Sequence, residues 1–585
     1  MCIQVYVAMM AQWQHPCIRD GRTSMSLILG IDDDSEESED TPLTLRPQSP
    51  GFRDTLAIAN TIGTFRKRSF SDTKLDLCAE TRDDEDNTET GDDEDSSPEE
   101  GMTCQEVDPL RMASSHMLTA SSHMLMASGH MTASSHTFTA SSMIDCFKWA
   151  FRLWDILASL LGKDFLRIRL FTHILYLSSH FSGVGTVEVA MNMLGAAGAA
   201  FMKTPLRLQS SLGCEAAPSN QAIMKERLQG GCVLADITDR FSVAKDWESH
   251  VANGRLDYGK ALASVLAGRL CKGARCIVHG SVCVAPVVHI DMSGSPCTPW
   301  TRASRAIAKR RSHPLVWLLM HWCALLRKQP VRVAVHENVL GFDESVLHEN
   351  LADMYWIYSL RVAPSDAGFP FLRRPRIYNI LYHKASTRVV HDVQALYQAV
   401  SRHMRYPAAQ HHLSWIWRAR PEECLAEENQ VRHQRGLAAR TPQQGPSPNW
   451  EYLLTDKQRG YLEGDHAMWL QATGKDPVED PNCVFDLSQR PSWGGCRPGM
   501  SDLPTFRRGT NRLWSPYRRR WLLRSEKAAC MGYVVDRDLA RAAGVPVDRL
   551  SSCFRHGQIG NAMHVANVGC VLVVALLAID PVADT

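Results

Sequence analysis

The chain lacks a charge of one sign: 64 Lys and Arg stand against 63 Asp and Glu, leaving a formal net charge of +1 over 585 residues. That average hides a segregated distribution, with acidic runs in the first hundred residues and arginine clusters in the C-terminal third. Long apolar runs are also missing. The longest, Val565 to Ile579, is shorter than the roughly 20 residues a spanning helix needs, so we expect a buried helix there and no membrane partner. No basic segment followed by a signal-type apolar core opens the sequence, which leads us to expect a reducing, intracellular setting. The eighteen cysteines include no CxxC pair and, on this reading, no Cys/His spacing suited to zinc, so no metal is expected.

Large apolar residues are nearly absent from two runs within the first 145 positions. Asp32 to Asp40 and Arg82 to Glu100 are acidic and polar, and cannot bury enough surface to offset the entropy of ordering. Between Met112 and Ser142 a unit close to Met-Thr-Ala-Ser-Ser-His recurs about every seven residues. Periodic His and Met is either a metal-binding array or an expanded low-complexity repeat, and the second is preferred. We therefore expect a disordered region over 1–145.

Beyond it, strand and helix patterns alternate, as a parallel sheet requires. Ile174 to Leu177 reads as a strand running into His180-Phe181-Ser182-Gly183-Val184-Gly185-Thr186, a glycine turn that opens a helix. Such a turn lets backbone approach a nucleotide-like ligand, and the helix start adds positive potential. Arg207 to Leu212 delivers Glu215, and Cys232 to Ala235 delivers Asp236 and Ile237. Each acid is either a ligand-binding carboxylate at a strand end or a loop or capping residue. The run Val284 to Ile290 reads as a buried strand that presents Cys297 in a loop stiffened by Pro296 and Pro299. Val331 to Val335 delivers Glu337 with Asn338 and Val339, and Gly368-Phe369-Pro370 precedes Arg374 and Arg376.

The order of these motifs resembles the cytosine C5-methyltransferases. The resemblance runs over about 170–580 and continues in Glu526…Gly532-Tyr533 and in Gly560-Asn561-Ala562, similar to the family's final motifs. It implies an α/β fold: a Rossmann-like S-adenosylmethionine-dependent methyltransferase sheet with an inserted, irregular target-recognition domain. The catalytic domain would occupy 146–394 and be completed by 506–585, with target recognition over 395–505. By resemblance, S-adenosyl-L-methionine would contact Phe181, Ser182, Gly183, Gly185, Thr186, Glu215, Asp236, Ile237 and Asn561, and S-adenosyl-L-homocysteine would be the product. Cys297 would be the nucleophile, Glu337 would hold the cytosine ring, and Arg374 and Arg376 would orient the base. DNA is the implied partner, which would place the protein in the nucleus.

Phe506 to Arg524 carries seven arginines among Phe506, Trp514, Tyr517 and Trp521. Arginine with aromatics suits phosphate contact and base stacking, making Arg507, Arg508, Arg518, Arg519 and Arg520 candidates for nucleic-acid contact. Three positions depart from the family pattern: Thr298 and Phe371 stand where glutamine is usual, and Ser178-Ser179-His180 replaces an acidic residue. Two other readings remain. Pro296-Cys297-Thr298-Pro299-Trp300 and Glu337 to Phe342 echo tRNA cytosine C5-methyltransferases, and a catalytically impaired binding protein would keep the fold without the chemistry.

Overall fold

The computed structural model describes residues 142–581 apart from 229, 243–246, 302–309, 407–412, 492–501, 508–511, 550 and 552–555. The acidic runs, the repeats and Arg508 lie outside the described residues. Seven strands form the main sheet: β1 (Leu175–His180), β2 (Leu208–Cys214), β3 (Cys232–Leu234), β4 (Ile290–Ser293), β5 (Val333–Asn338), β6 (Tyr355–Val362) and β7 (Arg376–His383). Their order is β6-β7-β5-β4-β1-β2-β3. β1 through β5 pair in parallel, whereas β7 runs antiparallel to both neighbours, β5 and β6. The Rossmann-like α/β class expected from the sequence is present. The strand order reverses between β1 and β4, which opens a crevice beyond their C-terminal ends.

The sheet is covered on both faces because alternate residues point opposite ways. In β5, Val333 and Val335 join one core while Ala334 joins the other; in β7, Tyr378 and Ile380 oppose Ile377 and Leu381. The first face packs against α1 (Trp149–Leu161), α2 (Thr186–Met202), α7 (Val393–Met404) and α12 (Val565–Leu577). The second packs against α4 (Tyr258–Ala267), α5 (Val316–Lys328) and α6 (Ser345–Leu351). α3 (Pro218–Arg227) flanks β2 and β3. Every residue of α12 is buried, which bears out the buried-helix reading of that apolar run. With α11 (His556–Asn561) it forms a segment, Gly557–Leu577, apolar and long enough to cross a membrane by composition alone, yet it lies in the core. Gly569 is required there: a Cβ would lie 2.2 Å from the Trp149 ring.

The run expected as a strand, Val284 to Ile290, is displaced. Val284 ends a hairpin of Gly273–Arg275 with Val282–Val284, both Val284 and Val287 face solvent, and β4 starts only at Ile290. Pro286 lies inside the run and has no N–H to give a ladder, so β-branched composition alone did not locate the pairing. The interval 395–505 is irregular but includes α8 (Pro421–Gln434) and α9 (Asp456–Thr473). Only Trp469 of α9 is buried, so this helix carries no apolar stripe that a periodicity reading could detect. A smaller core gathers Cys424, Trp450, Trp469, Phe485, Trp514 and Trp521 between this interval and the hairpin of Leu513–Ser515 with Arg520–Trp521. The chain then continues into α10 (Arg524–Cys530), capped through Glu526.

Candidate active site

Cys297 sits just beyond β4, at the start of a single helical turn over Thr298–Trp300. Its loop is fastened on both sides. Ser295 Oγ lies 2.8 Å from His336 Nε2, and Asn338 Nδ2 donates to the Ser295 carbonyl at 3.2 Å and to its hydroxyl at 3.1 Å. Downstream, Trp300 meets Phe342 edge to face at 5.1 Å, and a Cβ on Gly341 would lie 2.7 Å from the Trp300 carbonyl oxygen. The Pro-Cys and Glu-Asn-Val segments are therefore one packed unit. Ser295 and His336 are positioning residues that the sequence did not single out. Burial lowers His336 to about 3, which keeps the ring neutral at ordinary pH.

Glu337 is the next-to-last residue of β5, and its carboxylate forms a largely buried ion pair with Arg376 at 3.2 Å. Burial pushes the Glu337 carboxyl above its ordinary value, against the opposing pull of Arg376 and Arg374. Cys297 lies within electrostatic reach of all three. Its thiol is also raised, first by burial and then by the Glu337 charge, while Arg376 and Arg374 pull it down. Arg374 is fully enclosed and donates to the carbonyls of Phe506, Gly560 and Ala562 at 3.2, 3.0 and 2.7 Å. Burial and the Arg376 charge bring it down to about 9. It ties the C-terminal segment to the site, leaving Arg376 as the arginine beside Glu337. Phe371 is buried edge to face against Trp415, and Thr298 is exposed.

The glycine turn follows β1 at the other side of the crevice. Phe181, Gly183 and Gly185 have φ of 55°, 57° and 72°, and nothing lies within 4 Å of where a Gly183 Cβ would be. The turn is held from below: Gly183 N–H donates to Glu215 Oε2 at 2.8 Å, and Ser182 Oγ donates to the Ser179 carbonyl at 2.9 Å. Thr186, the first residue of α2, meets the Tyr533 hydroxyl at 2.5 Å. Glu215 Oε1 accepts from Ala217 N–H at 2.8 Å and from Asn220, and Asn220 in turn accepts from Gln558 of α11 at 2.9 Å. Asp236 caps the turn Ile237–Arg240 by accepting from Thr238 N–H at 2.8 Å, so its capping reading is realised; Ile237 is buried and Asn561 exposed. Open space over a left-handed glycine, a helix start and two strand-end carboxylates fit the S-adenosylmethionine implied by the resemblance.

Ser178 and His180, which replace the family's acid, serve a buried carboxylate on the neighbouring strand. Asp291 receives Ser178 Oγ at 2.5 Å and Trp322 Nε1 at 2.6 Å, and lies 2.6 Å from His180 Nδ1. Burial acts to raise Asp291, but His180, Ser178 and Trp322 outweigh it and hold the carboxyl below its ordinary value.

The arginine-aromatic segment is more internal than its composition suggests. Phe506, Trp514 and Trp521 are buried, so three of the four aromatics build the core rather than offering stacking faces. Trp514 and Trp521 are paired across the hairpin, whose first strand is buried at every position. Arg520 pairs with the buried Glu526 at 2.7 Å, and Arg507 with Asp486 at 3.0 Å. Arg519 and Tyr517 are exposed at the tip of the hairpin, with Arg518 half-buried beside them.

No family model matches the chain, and no curated protein sequence does. Among solved structures it is similar to a putative DNA modification methyltransferase encoded within an E. coli prophage, at 14% identity over 69% of this chain and 98% of that one, with a TM-score of 0.33. It is similar to the S. pombe Dnmt2 methyltransferase at 13% identity, 69% and 98% coverage and a TM-score of 0.33. The Entamoeba histolytica methyltransferase EhMeth gives 10% identity, the same coverage and a TM-score of 0.36.

Proposed function

We propose that the chain transfers a methyl group from S-adenosyl-L-methionine to C5 of cytosine in DNA, with Cys297 as nucleophile. The observation that supports this most is the meeting of Cys297, Glu337 and Arg376 from three separate segments at the C-terminal end of the sheet, across the crevice from the glycine turn. A binding protein does not need a thiol, a carboxyl and a guanidinium in that company.

C5 of cytosine is too weak a nucleophile to attack unaided. The Cys297 thiolate adds to C6, and the Glu337 carboxyl, raised toward its protonated form, donates to N3 as the ring takes up charge. C5 then carries the enamine-like electron density. S-adenosylmethionine supplies an electrophilic methyl group on its sulfonium. After transfer the C5 proton passes to water, the Cys297 thiolate leaves C6 and N3 returns its proton to Glu337, which restores the aromatic ring and the cysteine. Arg376 holds Glu337 in place and limits the rise of the Cys297 pKa, while Arg374 keeps the C-terminal segment docked. In duplex DNA the base must leave the stack to reach a half-buried thiol. Residues 395–505 are proposed to select the target, with Arg518 and Arg519 contacting phosphate.

The test is transfer of labelled methyl from S-adenosylmethionine to unmethylated DNA and, separately, to tRNA, with Cys297→Ala alongside. Label at C5 of DNA cytosine that disappears in Cys297→Ala supports the proposal. Label confined to tRNA replaces the substrate, and no transfer despite cofactor binding replaces the enzyme with a binding protein.

A further inference from the structure

A second group of chemistry-bearing residues lies at the far edge of the sheet. Cys232 begins β3, and Cys276, His279 and Cys283 come from the hairpin that docks on it. The docking is made by main chain: Leu234 bridges Cys276 in antiparallel sense, and Ile277 N–H donates to the Val233 carbonyl at 2.8 Å. It brings the three sulfurs and a ring nitrogen of His279 within 4.8 Å of one another. His279 Nδ1 lies 3.3 Å from the sulfurs of Cys276 and Cys283 and 3.7 Å from that of Cys232.

Hydrogen bonding does not explain this arrangement. One imidazole nitrogen has a single lone pair or a single proton and cannot serve three thiols at once. A shared cation does. With zinc–sulfur bonds of about 2.3 Å and zinc–nitrogen bonds of about 2.0–2.1 Å in tetrahedral geometry, each sulfur would sit about 3.6 Å from the nitrogen. The three observed separations scatter around that value. The cysteines are not joined as disulfides.

The local backbone supports anionic sulfur. The loop Cys276-Ile277-Val278-His279-Gly280 turns back on itself, Gly280 N–H donating to the Cys276 carbonyl at 3.0 Å, with Gly280 at φ 68°. The N–H groups of Val278, His279 and Val233 face the Cys276 sulfur. Three thiolates that close repel one another unless a cation sits among them.

We propose that Cys232, Cys276, His279 and Cys283 bind one zinc ion as a closed structural site. Three sulfurs and one nitrogen fill a tetrahedron and leave no position for substrate, so the ion has no catalytic part. Its effect is to clip the hairpin to β3, which would otherwise be an exposed strand edge. The chain leaves β3 directly into Asp236 and Ile237, so the clip also steadies that wall of the crevice. The metal site does not depend on the proposed reaction.

The full chain is purified without chelator and its metal measured by mass spectrometry, then the metal is exchanged for cobalt(II) and the visible spectrum recorded. About one zinc per chain is expected, with the cobalt form showing the intense bands of tetrahedral thiolate coordination. Cys276→Ser should lose the metal, His279→Cys should keep it with a shifted cobalt spectrum, and Cys271→Ser, outside the cluster, should match the parent. The His279→Cys protein guards against Cys276→Ser simply failing to fold. The proposal is overturned if the folded parent takes up neither ion, if Cys276→Ser binds metal as the parent does, or if mapping finds a Cys276–Cys283 disulfide in the protein as isolated.

Discussion

Cys297 lies beyond the central strand β4 and the cysteine cluster at the β3 edge of the same sheet, and they are built differently. Cys297 is a single thiol placed beside a carboxylate and two guanidiniums, on a loop fixed by Ser295 and Trp300. Cys232, Cys276 and Cys283 surround one imidazole nitrogen at 3.7, 3.3 and 3.3 Å. One sulfur poised by charges of both signs suits making and breaking a bond. Three sulfurs around a nitrogen suit holding an ion permanently. The neighbours of a cysteine, more than its burial, separate the two roles.

The largest effect that sharpens this contrast is expected at Glu337. Glu337→Gln should reduce methyl transfer roughly 10²- to 10⁴-fold, the range for losing a positioned proton donor. It should also remove the negative charge that raises the Cys297 thiol. The sign is definite: a lower thiol pKa means more thiolate at neutral pH, so Cys297 should react faster with iodoacetamide while turnover collapses. In the parent protein the rate should climb as pH rises from neutral into the alkaline range, because the nucleophile is the deprotonated form. Slower alkylation in Glu337→Gln would break the electrostatic reading of the site. At the cluster, no comparable substitution of a nearby acid should matter.

Cys276→Ser should lower the melting temperature by about 5 °C or more, through loss of the clip, as followed by calorimetry. Cys297→Ala should leave it nearly unchanged. A reversal of those two responses would exchange the roles assigned to the two sulfur sites.

A smaller effect separates Arg520 from Arg519. Arg520→Ala strands the buried Glu526 and should cost about 3–5 kcal/mol of stability, measured by denaturant titration. Arg519→Ala should leave stability alone and weaken DNA binding modestly, reducing the salt dependence of affinity by about one phosphate contact. Equal DNA-binding losses with intact folding in both variants would restore the whole segment as an outward-facing basic surface.

The sheet was legible because alternating strands and helices, the glycine turn and the order of strand-end residues survive in the sequence. The pairing of Cys297 with Glu337 and Arg376 was legible for the same reason, since each follows or precedes a strand. Other features depended on contacts the chain makes at a distance. Val284 to Ile290 has strand composition, yet Val284 pairs in a hairpin and the main sheet begins only at Ile290, and Trp514 and Trp521 look like stacking platforms until the small core claims them. The metal cluster shows both limits. Cys276-x2-His279-x3-Cys283 is a visible spacing that the sequence reading passed over, while Cys232 lies 44 residues before Cys276 and joins only when the hairpin docks on β3. Arg374 matched its motif, yet only the fold shows it spending its donors on Phe506, Gly560 and Ala562.

The most direct measurement is to incubate the protein with S-adenosylmethionine and DNA containing 5-fluorocytosine, then separate the products under denaturing conditions. Fluorine at C5 cannot leave as a proton does, so a reaction through thiolate addition stops with the enzyme joined to the base. The expected result is a denaturant-resistant complex whose mapped linkage is Cys297, absent in Cys297→Ala. Methyl transfer to ordinary DNA by Cys297→Ala, or transfer by the parent protein with no such complex, would contradict the assignment of Cys297 as the nucleophile.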